Sequence, residues 1–259
     1  MKTADKSFSS KAMKVLLSIA LVIGLAPAIS PAKAYAAGVT TQIAFTDAAG
    51  AAKTIENDAV DIAAVDGYAW DLASKTLTVT GAIKDVSVGS AFGAVTIATS
   101  AASSNASISS TTGAAITTAD ADNKLVIDTK AAPLNISTTA ANTSAIVAAQ
   151  ALEIAAGTDV AAKKLTVTAA ISDDTTPVVV ATGAVDVKKL ANIAAATIKG
   201  AAVSVLGEVT GSTISTSTSA INGTVTGNVS SADNVTVAQG GDATIGGNII
   251  TTAAAKTVT

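Results

Sequence analysis

From about residue 75 onward the chain repeats one short pattern, an apolar residue, any residue, an apolar residue, then a stretch of small polar residues. Leu77-Thr78-Val79, Val95-Thr96-Ile97, Leu125-Val126-Ile127, Leu134-Asn135-Ile136 and Leu152-Glu153-Ile154 set it up. Leu165-Thr166-Val167, Val185-Asp186-Val187, Val203-Ser204-Val205 and Val235-Thr236-Val237 continue it. Alternation with β-branched residues predicts strands, each burying two or three side chains. A sandwich or barrel built from hairpins calls for Asn-Gly or Asp-Gly turns, and only Asp66-Gly67 and Asn222-Gly223 occur. A parallel stack needs triplets that recur in sets, and here they do. Leu125–Ile127, Leu134–Ile136 and Ala145–Val147 form one set of three. Leu152–Ile154, Leu165–Val167 and Val178–Val180 form the next. Val185–Val187, Thr197-Ile198 and Val203–Val205 form a third. The pattern therefore predicts an all-β chain, a right-handed parallel β-helix (β-solenoid) over residues 76–259, with small residues at its corners. Seven or eight coils at about 4.8 Å each would make a rod roughly 35–40 Å long.

Residues 37–75 break the pattern. Phe45, Tyr68 and Trp70 lie here, with Leu72 beside them, in a chain that is only 2% aromatic. A solenoid leaves an open strand edge at its end, and a bulky segment can cover it. The expected role of 37–75 is thus an N-terminal cap, with a short helix within Ala51–Ala64. The competing role for Tyr68 and Trp70 is a stacking platform for a sugar ring.

Residues 1–36 have the layout of an export signal. Lys2, Lys6, Lys11 and Lys14 precede the apolar run Val15–Ala26, and Ala34-Tyr35-Ala36 fits a small-x-small cleavage site. The run is shorter than the roughly 20 residues of a membrane span. The expected location is secreted, extracellular or at the surface of a bacterial cell, with no membrane span once the signal is removed. Beyond residue 36 there are 11 Lys against 18 acidic residues. That balance argues against nucleic acid, which requires a basic footprint.

Composition then narrows the chemistry. The chain has no His, no Cys and no Arg. It therefore lacks imidazole, thiolate and guanidinium, on which much of acid–base, nucleophilic and anion-binding chemistry depends. Asp173-Asp174 is the one adjacent acidic pair, in a turn-like segment before Pro177, and reads as a solvated loop rather than a glycosidase pair. Asp120 and Asp122 start like a calcium loop, but the Gly and distal Glu of that loop are missing. Gly240-Gly241-Asp242 and Gly246-Gly247-Asn248 read as tight corners. The sequons at Asn105, Asn135, Asn142, Asn222, Asn228 and Asn234 fit chance in a Ser/Thr-rich chain, and the uneven Thr-x-Thr pairs do not make a flat ice-binding face. No catalytic, cofactor-binding or metal-ligating set is expected.

The segment Asp66–Gly81 (DGYAWDLASKTLTVTG) resembles the opening strand of secreted bacterial β-helical repeat proteins, some labelled as carbohydrate-binding-domain-containing. Trp70, Asp71, Lys75, Thr76, Leu77 and Val79 carry the likeness. Residues 221–250, with a Gly-x-Val alternation from Gly223 to Val229, are similar to bactofilins, which are polymer-forming β-helical proteins. The resemblances imply a right-handed β-helix whose ends stack on further subunits, and they supply no catalytic position. The expected function is a secreted, non-catalytic structural protein of the cell surface or extracellular matrix, a homo-oligomer or filament joined end to end through open β-helix ends. The alternative is a module that binds cell-wall or extracellular polysaccharide.

Overall fold

A computed structural model describes residues 42–258 except 102, 104, 120–123, 130, 156–163, 174, 238–242 and 253–257. The expected export signal, the first residues of the cap, Asp120, Asp122, Asp174 and Gly240-Gly241-Asp242 lie outside the described residues. The described chain is all-β with parallel sheets, apart from a 3₁₀ turn at Ser90–Phe92.

The first strands are β1 (Gln42–Thr46), β2 (Ala52–Glu56), β3 (Ile62–Val65), β4 (Tyr68–Asp71), β5 (Thr76–Val79) and β6 (Ala82–Val88). Three rounds of similar size follow. They are β7 (Val95–Thr99), β8 (Ser107–Ser110) and β9 (Ile116–Thr118); β10 (Leu125–Asp128), β11 (Leu134–Thr138) and β12 (Ile146–Ala148); and β13 (Leu152–Ala155), β14 (Leu165–Ala169) and β15 (Val179–Ala181). Shorter rounds come next: β16 (Val185–Val187) with β17 (Asn192–Gly200), then β18 (Val203–Val205) with β19 (Glu208–Ser215). The last are β20 (Ser219–Ile221), β21 (Thr224–Val225) and β22 (Val229–Ser231), then β23 (Val235–Val237), β24 (Thr244–Ile245) and β25 (Ile249–Thr251).

The first strand of each round joins one sheet, in the parallel order β5-β7-β10-β13-β16-β18-β20-β23. The other strands join a second sheet, whose ladders are also parallel from β6 onward. Register is kept from round to round. Leu77, Ile97, Ile127, Ile154, Val187, Val205 and Ile221 stand in one buried column. In the second sheet Leu134, Leu165, Ile193, Val209 and Val225 form another. Because side chains alternate with period 2, most strands place Leu, Ile or Val inward and Thr, Ser, Lys or Asp outward; in β19 and β22 the buried positions also include Thr213, Ser215 and Ser231. The predicted stacking of triplets 125, 152 and 185 is the observed register.

Three details differ from the sequence expectation. Residues 51–64 fall in β2 and β3 instead of a helix, because Ile55 and its neighbours pair antiparallel with β1 and tertiary pairing overrides the helix preference of Ala. The triplets at 145 and 178 are shifted by one. Ile146 and Val179 point inward, while Val147 and Val180 face out, since Ala145 and Val178 are already buried at the bend. Val203–Val205 does not end the third set. It stacks on Val185–Val187 and opens a new round, so the step between first strands falls from 33 residues to 18, then 16.

That shortening has a structural cause. β14 and β15 are separate strands with a loop between them, yet both pair with β17, Leu165 against Ile193 and Val179 against Ile198. A two-residue irregularity at Ala195–Ala196 replaces the loop. The loops of the earlier rounds stack on one another. Asn142 Oδ1 accepts from Ser172 N and Oγ, and Ser144 Oγ donates to Pro177 O at 2.6 Å. The file of loops ends at residue 178, and beyond it the outer face of the sheet lies open.

The start of the fold is antiparallel. β1 pairs with β2 and β6, and β3-β4-β5 form a meander. Asp66 and Gly67 have φ of 46° and 90° in the two-residue turn between β3 and β4, the backbone that favours Asp-Gly in a hairpin. Asn222-Gly223 makes no hairpin and lies at a corner between parallel strands.

Candidate functional site

Two regions concentrate the groups that could carry function. The first is the aromatic cluster at the start of the fold. Tyr68 and Trp70 are neighbours on one face of β4, 5% and 2% exposed. Tyr68 meets Phe45 edge-on with centroids 4.7 Å apart, and Trp70 meets Phe92 edge-on at 5.9 Å. Trp70 Nε1 donates to Ala59 O at 3.3 Å. Lys75 Nζ donates to Asn57 Oδ1 at 2.8 Å and to Asn57 O, and it lies 5.8 Å from the Phe92 centroid. These geometries suit packing, since edge-to-face pairs add to the burial of large rings. A sugar-stacking platform needs an exposed ring face, and here protein covers both rings.

The same region holds a buried carboxylate. Asp47 accepts from Ala51 N at 2.8 Å and lies 3.1 Å from Lys53 Nζ, with its side chain fully covered. Burial, the largest influence, raises the Asp47 carboxyl. The Ala51 N–H and the Lys53 ammonium outweigh it, and the group sits below the usual range. It locks the β1–β2 turn in place.

The second region is a groove of about 450 Å³ where the file of loops ends. One wall is the β14–β15 loop, with Ile171, Asp173, Thr175, Thr176 and Pro177. The floor is the outer face of β17, β19, β22 and β25. It presents two columns. Thr197, Ser212 and Asn228 form one, with Thr197 opposite Ser212 and Asn228 N donating to Ser212 Oγ at 3.2 Å. Lys199, Ile214, Ser230 and Ile250 form the other, in ladder register.

Asp173 is fixed by its own turn. Oδ1 accepts from Thr175 N, Thr175 Oγ1 and Thr176 N at 2.6–2.8 Å, while Oδ2 accepts from Thr176 Oγ1 at 3.0 Å. The Thr175 hydroxyl and the two backbone donors hold its carboxyl down at about 2. Such a group stays anionic near neutrality and cannot deliver a proton there. Among the described residues Lys199 Nζ has no hydrogen-bond or ion-pair partner. Asn228 Oδ1 accepts from Asn248 N at 2.9 Å, and the residue lines the groove.

Elsewhere, Glu153 on the outer face of the first sheet bridges Lys124 at 2.6 Å and Lys188 at 3.5 Å, and Asp186 lies 3.7 Å from Lys188. Burial raises the Glu153 carboxyl, but the two ammonium groups bring it below the usual range. Among the described residues no three acidic side chains come together as a metal-binding group, and no helix is long and apolar enough to cross a membrane. In comparisons with known proteins, no family model, no curated protein and no solved structure matches this chain.

The sequence pointed to Tyr68 and Trp70, which the structure brings together inside the core. It passed over Thr197, Lys199, Ser212, Asn228 and Ser230. Their signal is the shortened repeat, in which positions 15 to 16 residues apart share a column. That spacing is hidden by the longer steps before it.

Proposed function

We propose that the chain is an exported, non-catalytic structural protein of the cell surface or extracellular matrix. Its parallel sheets would be the walls of one right-handed β-helix. The observation that carries this reading is the unbroken column from Leu77 to Ile221, one aliphatic residue per round in continuous register. Each round hydrogen-bonds to the next through its backbone, so bending the stack means stretching many bonds at once. Stiffness along the stacking axis is what such an arrangement supplies. The strands' outer faces carry mainly small polar groups, which lets neighbours pack closely. Export is supported by the Lys-rich, then apolar, then Ala-x-Ala layout of residues 1–36.

Association with further copies belongs to the same reading. Ile249 on β25 is 37% exposed, in contrast to Val229, the fully buried residue it pairs with in the preceding round. An edge strand with exposed aliphatic side chains is a pairing surface. A head-to-tail contact there would generate filaments. Negative-stain electron microscopy of residues 37–259 over a concentration series tests it. Filaments with a lengthwise repeat of about 40 Å, eight rounds at the usual strand spacing, are the expected result. Isolated short rods at every concentration would remove assembly from the reading, and particles without a rod shape would remove the β-helix itself.

A further inference from the structure

We infer that the groove beside the β14–β15 loop is a binding site for a neutral polysaccharide strand. This moves the glycan-binding alternative away from Tyr68 and Trp70, and it does not depend on self-assembly. The groove falls within the roughly 300–1,000 Å³ of ordinary ligand sites, and its chemistry is that of a sugar's two surfaces. A pyranose has a rim of hydroxyls, each both donor and acceptor, and a face of C–H groups. The floor offers the same division, a hydroxyl and amide column of Thr197, Ser212 and Asn228 beside a column carrying Ile214 and Ile250.

The charged groups fit hydroxyls better than ions. Asp173 Oδ2 keeps acceptor capacity and stays ionised, and no described residue takes up the donors of Lys199 Nζ. The two form no ion pair with each other. A sugar hydroxyl can donate to the first and accept from the second. A polyanion would meet Asp173 and the chain's excess of acidic residues, and a polycation would meet Lys199. Adjacent strands carry Thr197, Ser212 and Asn228 about 4.8 Å apart, so a polymer running across β17, β19 and β22 engages several polar groups at once. A single small sugar would engage few. Asp173 is already held by Thr175 and Thr176, so its orientation costs nothing further on binding.

The test is affinity gel electrophoresis and titration calorimetry of the 259-residue chain. The probes are a β-glucan, a mannan and a xylan, with polygalacturonate as the acidic comparator. Retention by at least one neutral polymer is expected. Ser230→Trp, which fills the groove from an outward position, should abolish it. Lys199→Met, which keeps the stem and removes the ammonium, should weaken it about tenfold, as expected for losing a charged hydrogen bond. Thr78→Trp, outward on the other sheet, should leave it unchanged. Circular dichroism confirms the fold of each variant, and Lys199→Met carries the test if Ser230→Trp misfolds. Failure to retain any neutral polymer, retention of polygalacturonate alone, or equal binding by folded Ser230→Trp or Lys199→Met would overturn the assignment.

Discussion

Gly211 lies directly under the carbonyl of Ala195. A Cβ built on it would come within 1.7 Å of that oxygen, and its φ of 154° is one that L side chains rarely adopt. The contact arises because β17 and β19 stack at the corner where two strands have merged into one. A side chain there must push two rounds apart. Gly211→Ala is therefore expected to destabilise the fold by about 3 kcal/mol or more, combining overpacking with backbone strain. Gly113→Ala provides the contrast, because a Cβ there meets nothing within 4 Å and its φ is outside the left-handed region. It should stay within about 0.5 kcal/mol of the parent chain. Urea unfolding of both variants checks the difference.

Asn142 holds the loop of the following round. Its Oδ1 takes two hydrogen bonds from Ser172, at 2.8 and 2.9 Å, and its φ is 48°. Asn tolerates that conformation better than most residues. Asn142→Gly keeps the backbone and loses both bonds, for an expected cost of about 1–2 kcal/mol. Asn142→Ala loses the bonds and adds strain, so it should be the worse of the two. Limited proteolysis should then cut near residues 171–177 faster in both variants. An unchanged cleavage pattern would mean the loop is held by other contacts.

How much of this was legible follows from where the energy lies. The in-register triplets at 125, 152 and 185 were visible because an inward Leu, Ile or Val is demanded at the same place in each round. The change of step at Val203 was not, because nothing in Val203-Ser204-Val205 distinguishes a first strand from a later one. That depends on β17 spanning two ladders, a non-local event. The one-residue shift at Ile146 escaped for a related reason. At a bend two successive residues are buried, which breaks the period-2 rule. Tyr68 and Trp70 stood out as rare large residues, but rarity does not say which way a ring points. The groove residues are Thr, Ser, Asn and Lys among many, and only their placement side by side gives them meaning.

Trp70 tests the role of the first segment. It is 2% exposed, packs edge-on against Phe92, and its indole N–H reaches Ala59. Trp70→Ala should cost about 3–5 kcal/mol through the cavity it leaves, with loss of near-ultraviolet circular dichroism from the cluster. Trp70→Phe keeps most of the volume and should recover a large part of that stability. Glycan retention should be unaffected by Trp70→Phe. A Trp70→Ala chain as stable as the parent would remove the cluster from the core.

Acid should loosen the fold, and Asp173 sets a definite window. Its folded carboxyl sits at about 2, below the ordinary value of 3.8, because Thr175 and Thr176 donate to the ionised form. A group depressed in the folded state contributes stability above its unfolded pKa and loses it as pH falls through the folded one. Its contribution is therefore complete above roughly pH 5 and fades between about pH 4 and 2. Asp47, Asp71 and Glu153 are shifted in the same direction, so they add to the same acid limb. Asp173→Asn should lower the urea midpoint at pH 7 and change it much less at pH 2, where the parent carboxyl is becoming protonated. The asymmetry between the two pH values is the diagnostic result, because a purely steric effect of the substitution would appear equally at both.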